Sequence, residues 1–433
     1  MLKVSDNGRF LVHDDGRPFF YLGDTAWELF HRLNREQADI YLANRAEKGF
    51  TVIQAVVLAE LDGLGDPNPY GDLPLIDRDI ERTDEAYFRH VDYVVDKAAS
   101  LGLYIGMLPT WGDKVGLAVP KPIREHNARR YGRFLGHRYA DKPIIWILGG
   151  DRDAEGVVEI WNELAGGLEE GDGGRGLMTF HPGRTRHSST WFHHVDWLDF
   201  NMVQSGHAIA NANFLLIQRE YNHLPPKPCM DGEPTYEDVP GDKPSDRTVN
   251  SFHVRRNAYW SVFAGSHGHT YGTHPIWQMY EPPRKPLWEV QTAWHQALDI
   301  TGACQMRHLK ALMLSRPYLA RIPDQRVLIS GSSEGLDRVQ VTRDGTIRLS
   351  DATYMMAYFP QYRQVRIDVE KMPAGTLRGW WFNPRDGRVE HHWEFSNGGV
   401  MEFQPPTQVE GEDWVLVVDD ASRGYPPPGG SVC

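Results

Sequence analysis

Two short apolar runs end in carboxylates. One is Ile144-Ile145-Trp146-Ile147-Leu148-Gly149-Gly150-Asp151, and the other is Pro228-Cys229-Met230-Asp231-Gly232-Glu233-Pro234. A buried strand that stops at glycine and then presents an acid is how a parallel barrel aims a carboxylate into a pocket. Cleavage of a glycosidic bond needs two such acids, one to protonate the leaving oxygen and one to meet the oxocarbenium-like transition state. Asp151 and Glu233 are therefore the candidate catalytic pair. Asp151 has a competing reading as a helix N-cap, although Asp153 precedes the helical stretch GVVEIWNELAGGL more closely. Asp231 shares a strand face with Glu233 and competes with it for the chemistry.

Positioning such a pair takes a scaffold, and the sequence supplies a repeated one. Eight strand-like segments fall at 19–27, 50–60, 103–113, 142–151, 177–183, 196–208, 226–234 and 266–275. Between them, helices are expected over 35–48, over 84–102 with a stop at Gly102, and over 245–264 with a Ser245-Asp246 cap. Strand-then-helix units with near-continuous apolar strands predict an α/β fold, a (β/α)8 TIM barrel over residues 19–320. A doubly wound sheet would carry a glycine-rich phosphate turn after its first strand, and GDTAW is not one. Residues 1–18 read as a hairpin turning at Asn7-Gly8 and Asp15-Gly16. Short alternating strands over 321–422 predict a C-terminal all-β sandwich, and the Pro/Gly-rich 423–433 a disordered tail.

The C-terminal strand ends of such a barrel collect Asp24, Trp27, Glu60, Trp111, Asp151, His181, Gln204, His207, Glu233, His269 and Tyr271. Amides and carboxylates bind hydroxyl pairs, and indole faces cover the apolar side of a sugar ring. Asp24 reads equally as a cap of the helix after strand one. Trp27 and Trp111 are expected to stack on ligand, whereas Trp146 and Trp260 read as core. His267, His269 and His274 raise a metal reading, but strand one ends without histidine, so no metal or other cofactor is expected.

The 433 residues carry a formal charge of −12, with 41% hydrophobic and 24% charged side chains. That balance fits an ordinary globular chain and argues against nucleic acid or an anionic membrane as partner. Three cysteines, Cys229, Cys304 and Cys433, make no disulfide framework or metal pair. The start MLKVSDNGRF is not a signal peptide, which points to the cytoplasm, or to secretion or the periplasm if a leader has been removed. The expected partner is an oligosaccharide or glycoside, and the sequence leaves the oligomeric state open.

The stretches NGRFLVHDDGRPFFYLGDTAW, WILGGDRD and DGEPTYE, together with WWFNPRDG and DWVLVVDD downstream, resemble the apiosidase-like glycoside hydrolases of family 140. The likeness runs over nearly the whole chain, and its C-terminal part is similar to the family's accessory collagen-binding-type β-domain. The resemblance implies a retaining hydrolase on a (β/α)8 barrel that releases apiose from the pectic polysaccharide rhamnogalacturonan II. It gives Asp151 the acid/base role and Glu233 the nucleophile role, and it brings Tyr236 of DGEPTYE toward the substrate. The family pattern continues GGDRN, and Asp153 stands where asparagine is expected. The extra charge bears on the acid's pKa and on the substrate more than on the reaction type. For the β-domain, a structural or subsite-shaping role fits its tryptophans better than collagen binding does.

Overall fold

The computed structural model describes residues 1–117, 121–240, 248–331 and 335–430. Its larger part is built on eight parallel strands: β1 (Tyr21–Thr25), β2 (Val52–Val56), β3 (Tyr104–Leu108), β4 (Ile144–Gly149), β5 (Met178–His181), β6 (Asn201–Val203), β7 (Cys229–Asp231) and β8 (Gly268–Tyr271). Six of them pair in the order β8-β1-β2-β3-β4-β5, and β6 pairs with β7. A few contacts flanking the strands close the two remaining seams. Between β5 and β6 the Thr179 hydroxyl donates to the Phe200 carbonyl, and between β7 and β8 the His267 N–H donates to the Cys229 carbonyl.

Inside this (β/α)8 barrel, Gln54 of β2 ties distant strands together. Its Oε1 accepts from the hydroxyls of Tyr21 and Thr270, and its Nε2 donates to the Gly232 carbonyl. These bonds fix which strand residues point inward, and by the two-residue period of a strand they also fix which point away.

The helices start and stop where local chemistry tells them to. Arg35–Glu47 opens on a capping box between Asn34 and Gln37, and Glu85–Ser100 opens with Asp84 accepting from the Ala86 N–H. The Glu85–Ser100 helix buries Tyr87, Val91, Val94, Val95 and Ala98 on one face. The helix before it buries Ala38, Tyr41, Leu42 and Arg45 and leaves Ile40 exposed. Helix Ser251–Phe263 is capped by Asn250, later than expected; Ser245 and Asp246 lie outside the described residues.

The N-terminal segment is a three-stranded antiparallel meander (Leu2–Val4, Leu11–His13, Pro18–Phe19) rather than a simple hairpin, because Arg17-Pro18-Phe19 pairs back before β1 begins. After the barrel, an antiparallel six-stranded sheet faces a three-stranded one. In the central strand Tyr354–Phe359, Met355, Ala357 and Phe359 fill the space between these sheets. The alternate residues Tyr354, Met356 and Tyr358 pack with Tyr259, Phe263 and Met306 of the barrel. Burial on both faces explains why this strand reads as an unbroken apolar run. The tail is more ordered than its composition suggests. Tyr425 bonds the Thr353 hydroxyl at 2.8 Å and lies under the Arg316 guanidinium, so residues 423–430 are docked; 431–433 lie outside the described residues. No helix among the described residues is long and apolar enough to cross a membrane.

Candidate active site

The C-terminal ends of the strands open into a cleft of about 430 Å3. Trp27 follows β1, Glu60 and Leu61 follow β2, and Trp111 follows β3. Asp151 follows β4, Arg184 follows β5, Gln204 and His207 follow β6, Glu233 and Tyr236 follow β7, and Trp277, Leu287 and Trp288 follow β8. All of these residues come from the barrel.

Asp151 reaches the cleft through an unusual stretch of backbone. Gly149, Gly150 and Asp151 have φ of 94°, 115° and 54° in succession. A Cβ at Gly149 would stand 2.2 Å from the His181 carbonyl oxygen, and one at Gly150 would press on the Trp111 ring at 2.8 Å. Only glycine meets both demands, so the pair lets the chain turn against its neighbours and lift the next carboxylate into the cleft. Aspartate tolerates the left-handed region better than most residues. Neither Asp151 nor Asp153 caps a helix, because the following helix starts at Val158 with Val157 before it. Asp153 turns instead to Arg186 at 3.3 Å.

Glu233 is almost fully buried and faces two imidazoles. His181 Nε2 lies 2.9 Å from one carboxylate oxygen and His207 Nε2 lies 3.1 Å from the other. Burial alone would raise its pKa, but the close imidazoles of His181 and His207 outweigh it and hold the carboxyl far below the usual range. His181 also accepts from the Asp151 backbone N–H through Nδ1 at 3.4 Å, so one ring spans both acids. The Asp151 pKa is raised, first by burial and then by the Glu233 charge, against weaker opposition from His181, Gln204 and Arg152. The two carboxyls are thus pushed in opposite directions, Glu233 down and Asp151 up.

Around this pair the walls are aromatic and polar. Trp27 and Trp111 lie 5.2 Å apart between ring centroids, with His181 edge-on to Trp27. Both indoles are nearly fully buried, so they form the inner wall. The Trp111 indole N–H and the Gln204 Oε1 have no partner among the described residues, leaving a donor and an acceptor in the cleft. Tyr236 lies against His207, 4.2 Å between ring centroids and tilted by 36°, and burial followed by the Glu233 charge keeps its phenol neutral. Glu60 has its pKa pushed up to about 8 by burial and then by the charges of Glu28, Glu233 and Asp151.

Residues 5–320 match the family model "Apiosidase-like, catalytic domain". The chain belongs to the apiosidase-like family. Residues 322–419 match a second model, "Putative collagen-binding domain of a collagenase". Among solved structures, one described as a glycoside hydrolase is 36% identical, covers 97% of each chain and superposes with a TM-score of 0.89. Another, described as a glycoside hydrolase family 5 from Bacteroides vulgatus ATCC 8482, is 37% identical over 100% of this chain and 96% of its own, with a TM-score of 0.90. A search of curated proteins gave no match. The chain is a glycoside hydrolase of the apiosidase-like type.

Within this apiosidase-like barrel, four residues expected at the substrate do not line the cleft: His181, which backs Glu233, and Asp24, His269 and Tyr271. Asp24 is fully buried, with one carboxylate oxygen accepting from Tyr41 at 2.5 Å and Arg45 at 2.6 Å; it neither caps a helix nor faces the cleft. Tyr271 donates to Glu237 at 2.6 Å, and His269 is fully buried. Both alternate with Thr270, which points inward to Gln54, so the strand's period turns them away. Asp231, the rival of Glu233, is also turned away and accepts from the Ser205 hydroxyl and the Asn213 amide. Burial pushes its pKa up to about 6. His267 bonds the Cys229 carbonyl and His274 the Trp288 carbonyl. The expectations for Trp27, Trp111, Gln204, His207 and Tyr236 meet at the cleft, as do those for the two acids, with His181 behind Glu233. The strand-end reading did not assign Glu60 a role, and it missed Leu61, Arg184, Trp277, Leu287 and Trp288. The last three follow strand eight in a proline-rich segment whose paired tryptophans were the available signal.

Proposed function

We propose that this protein is a retaining exo-glycosidase that releases a terminal pentofuranose, apiose or a close relative, from pectic glycans of the plant cell wall. The observation that carries the reading is the opposed charge preference of two acids bridged by one imidazole. Glu233, ionised and dehydrated, is the nucleophile that attacks the anomeric carbon. Asp151, protonated, gives its proton to the leaving oxygen as that bond breaks. A covalent glycosyl–Glu233 ester remains, and the now ionised Asp151 takes a proton from water as the water displaces Glu233. His181 and His207 hold the nucleophile's two oxygens, which fixes its direction of attack. As pH rises through the elevated Asp151 pKa the acid loses its proton, so activity falls on the alkaline side.

An inner wall formed by Trp27 and Trp111 supports exo action, because a chain running past the acids would meet indole. Membership of the apiosidase-like family supports the pentofuranose. The test is hydrolysis of a panel of aryl glycosides and pectic oligosaccharides by wild type, Asp151→Ala and Glu233→Ala. Release of a pentose by wild type, loss in both variants, and recovery of Glu233→Ala by azide as a glycosyl azide are the expected results. Wild-type rates in either variant would refute the assignment of that residue. No turnover on the panel would refute the activity.

A further inference from the structure

Trp288 is the one large apolar side chain of the cleft wall that stands well out in solvent, at 57% exposure, among the described residues. Its backbone is left-handed at φ 49°, and Glu289 follows at φ 56°, a conformation that non-glycine residues adopt at a cost. Three contacts hold it there. The His274 Nδ1 accepts from the Trp277 indole N–H at 3.2 Å, which leaves its Nε2 to donate to the Trp288 carbonyl at 3.0 Å. The His274 ring lies parallel to the Trp288 indole, 15° between planes and 6.0 Å between centroids. Gln278 binds the preceding residue with both ends of its amide, accepting from the Leu287 N–H and donating to its carbonyl. An exposed indole fixed from beneath, on strained backbone, at the rim of a sugar-sized cleft is a preorganised stacking surface.

We propose that Trp288 is the platform for the leaving-group sugar, and that it selects substrates in which the terminal sugar is joined to another saccharide. The inference rests on the glycosidase reading above. The buried Trp27, Trp111 and Glu233 mark the inner end of the cleft, where the terminal sugar must sit to reach the nucleophile. Trp288 marks the outer end, where the rest of the substrate leaves. An indole face covers the apolar face of a sugar ring there, adding affinity that a leaving group without a ring cannot use.

The test compares two substrates with the same terminal sugar: apiofuranosyl fluoride, whose leaving group has no ring, and apiose-capped oligosaccharides of rhamnogalacturonan II. Trp288→Ala should lower kcat/KM on the oligosaccharide about tenfold, mainly through KM, and leave the fluoride within about twofold. Trp288→Phe should recover most of the loss. Trp288→Gly should show the same loss on the oligosaccharide without a lower thermal midpoint, because glycine accepts this φ. Equal effects on both substrates, or none on either while wild type cleaves both, would overturn the platform role alone. A wild type that cleaves neither substrate would overturn the glycosidase reading itself and this inference with it.

Discussion

Asp413 and Asp419, at the seam between barrel and sandwich, are met by arginines. Asp151, Glu60 and Glu233, at the mouth of the barrel, are met by histidines and by one another. At the seam, Arg255 grips Asp413 with two bonds of 2.6 and 3.0 Å, and Tyr358 adds a third at 2.9 Å. Arg316 grips Asp419 at 2.7 and 2.8 Å, with the Trp380 indole N–H at 2.8 Å. Bidentate guanidinium pairing neutralises the charge and locks the geometry. In the cleft Arg152 reaches Asp151 only at 3.6 Å, and the Glu233 charge helps raise the pKa values of both Asp151 and Glu60. Carboxylates that hold the fold together are matched; those that line the cleft are left in conflict. That conflict costs stability and supplies the split protonation on which acid–base chemistry depends.

The contrast breaks most sharply at Glu233. Glu233→Ala should lower kcat on the order of 10^3-fold, while its thermal midpoint moves less than that of a seam variant. Steady-state rates and a thermal melt on the same preparation check both halves. A midpoint loss larger than the seam variant's would make Glu233 a structural carboxylate.

Asp413→Ala is the reverse experiment. It leaves Arg255 buried without its partner and should cost about 3–5 kcal/mol, with the kcat of folded protein unchanged. Replacing both partners, Asp413→Leu with Arg255→Met, should recover most of that loss, since an apolar pair needs no compensation. Denaturant unfolding of the two variants reads the difference. Equal destabilisation would mean that shape at the seam matters more than charge.

How much of this was readable beforehand depends on which physical rule each residue obeys. Strand ends follow from apolar runs that stop at glycine, which is why Asp151, Trp27, Trp111 and Glu233 stand where the sequence placed them. Direction along a strand is harder. His269 and Tyr271 were one residue out of phase with Thr270, and a four-residue strand offers too little alternation to show it. Asp24 went astray because its partner Arg45 lies twenty-one positions away on a helix face, invisible until the helix packs. Trp288 is set by a loop anchored through His274 and Gln278, and such long-range anchoring has no period to read. The tail misled by composition, since Tyr425 and the buried Pro428 dock a segment otherwise rich in proline and glycine.

Glu60 sharpens the comparison through pH. Its pKa is about 8 in the folded protein against an ordinary 4.5, so between those values the folded state binds the extra proton. Its contribution is therefore most favourable below about pH 4.5 and is lost as pH rises through about 8. Glu60→Gln, which keeps the shape without the titration, should raise stability relative to wild type at pH 9 by on the order of 5 kcal/mol, and by much less at pH 5. Melting both proteins across that range tests it; a pH-independent difference would mean that Glu60 is no part of the carboxylate conflict.

The smallest effect is expected at Asp153, the position where the chain departs from the family pattern. Its carboxylate turns to the exposed Arg186, and its charge is not among the principal influences on Asp151. An exposed ion pair of this kind contributes about 0–1 kcal/mol. Asp153→Asn should therefore change kcat/KM by less than about threefold and leave the alkaline limb of the pH profile where it is. A shift of that limb toward lower pH would show that Asp153 helps keep Asp151 protonated. It would then belong with the acids in conflict, and the departure from the family pattern would be a change in the catalytic acid itself. An unchanged limb with a changed KM would assign Asp153 to the sugar instead, leaving the conflict to Glu60, Asp151 and Glu233.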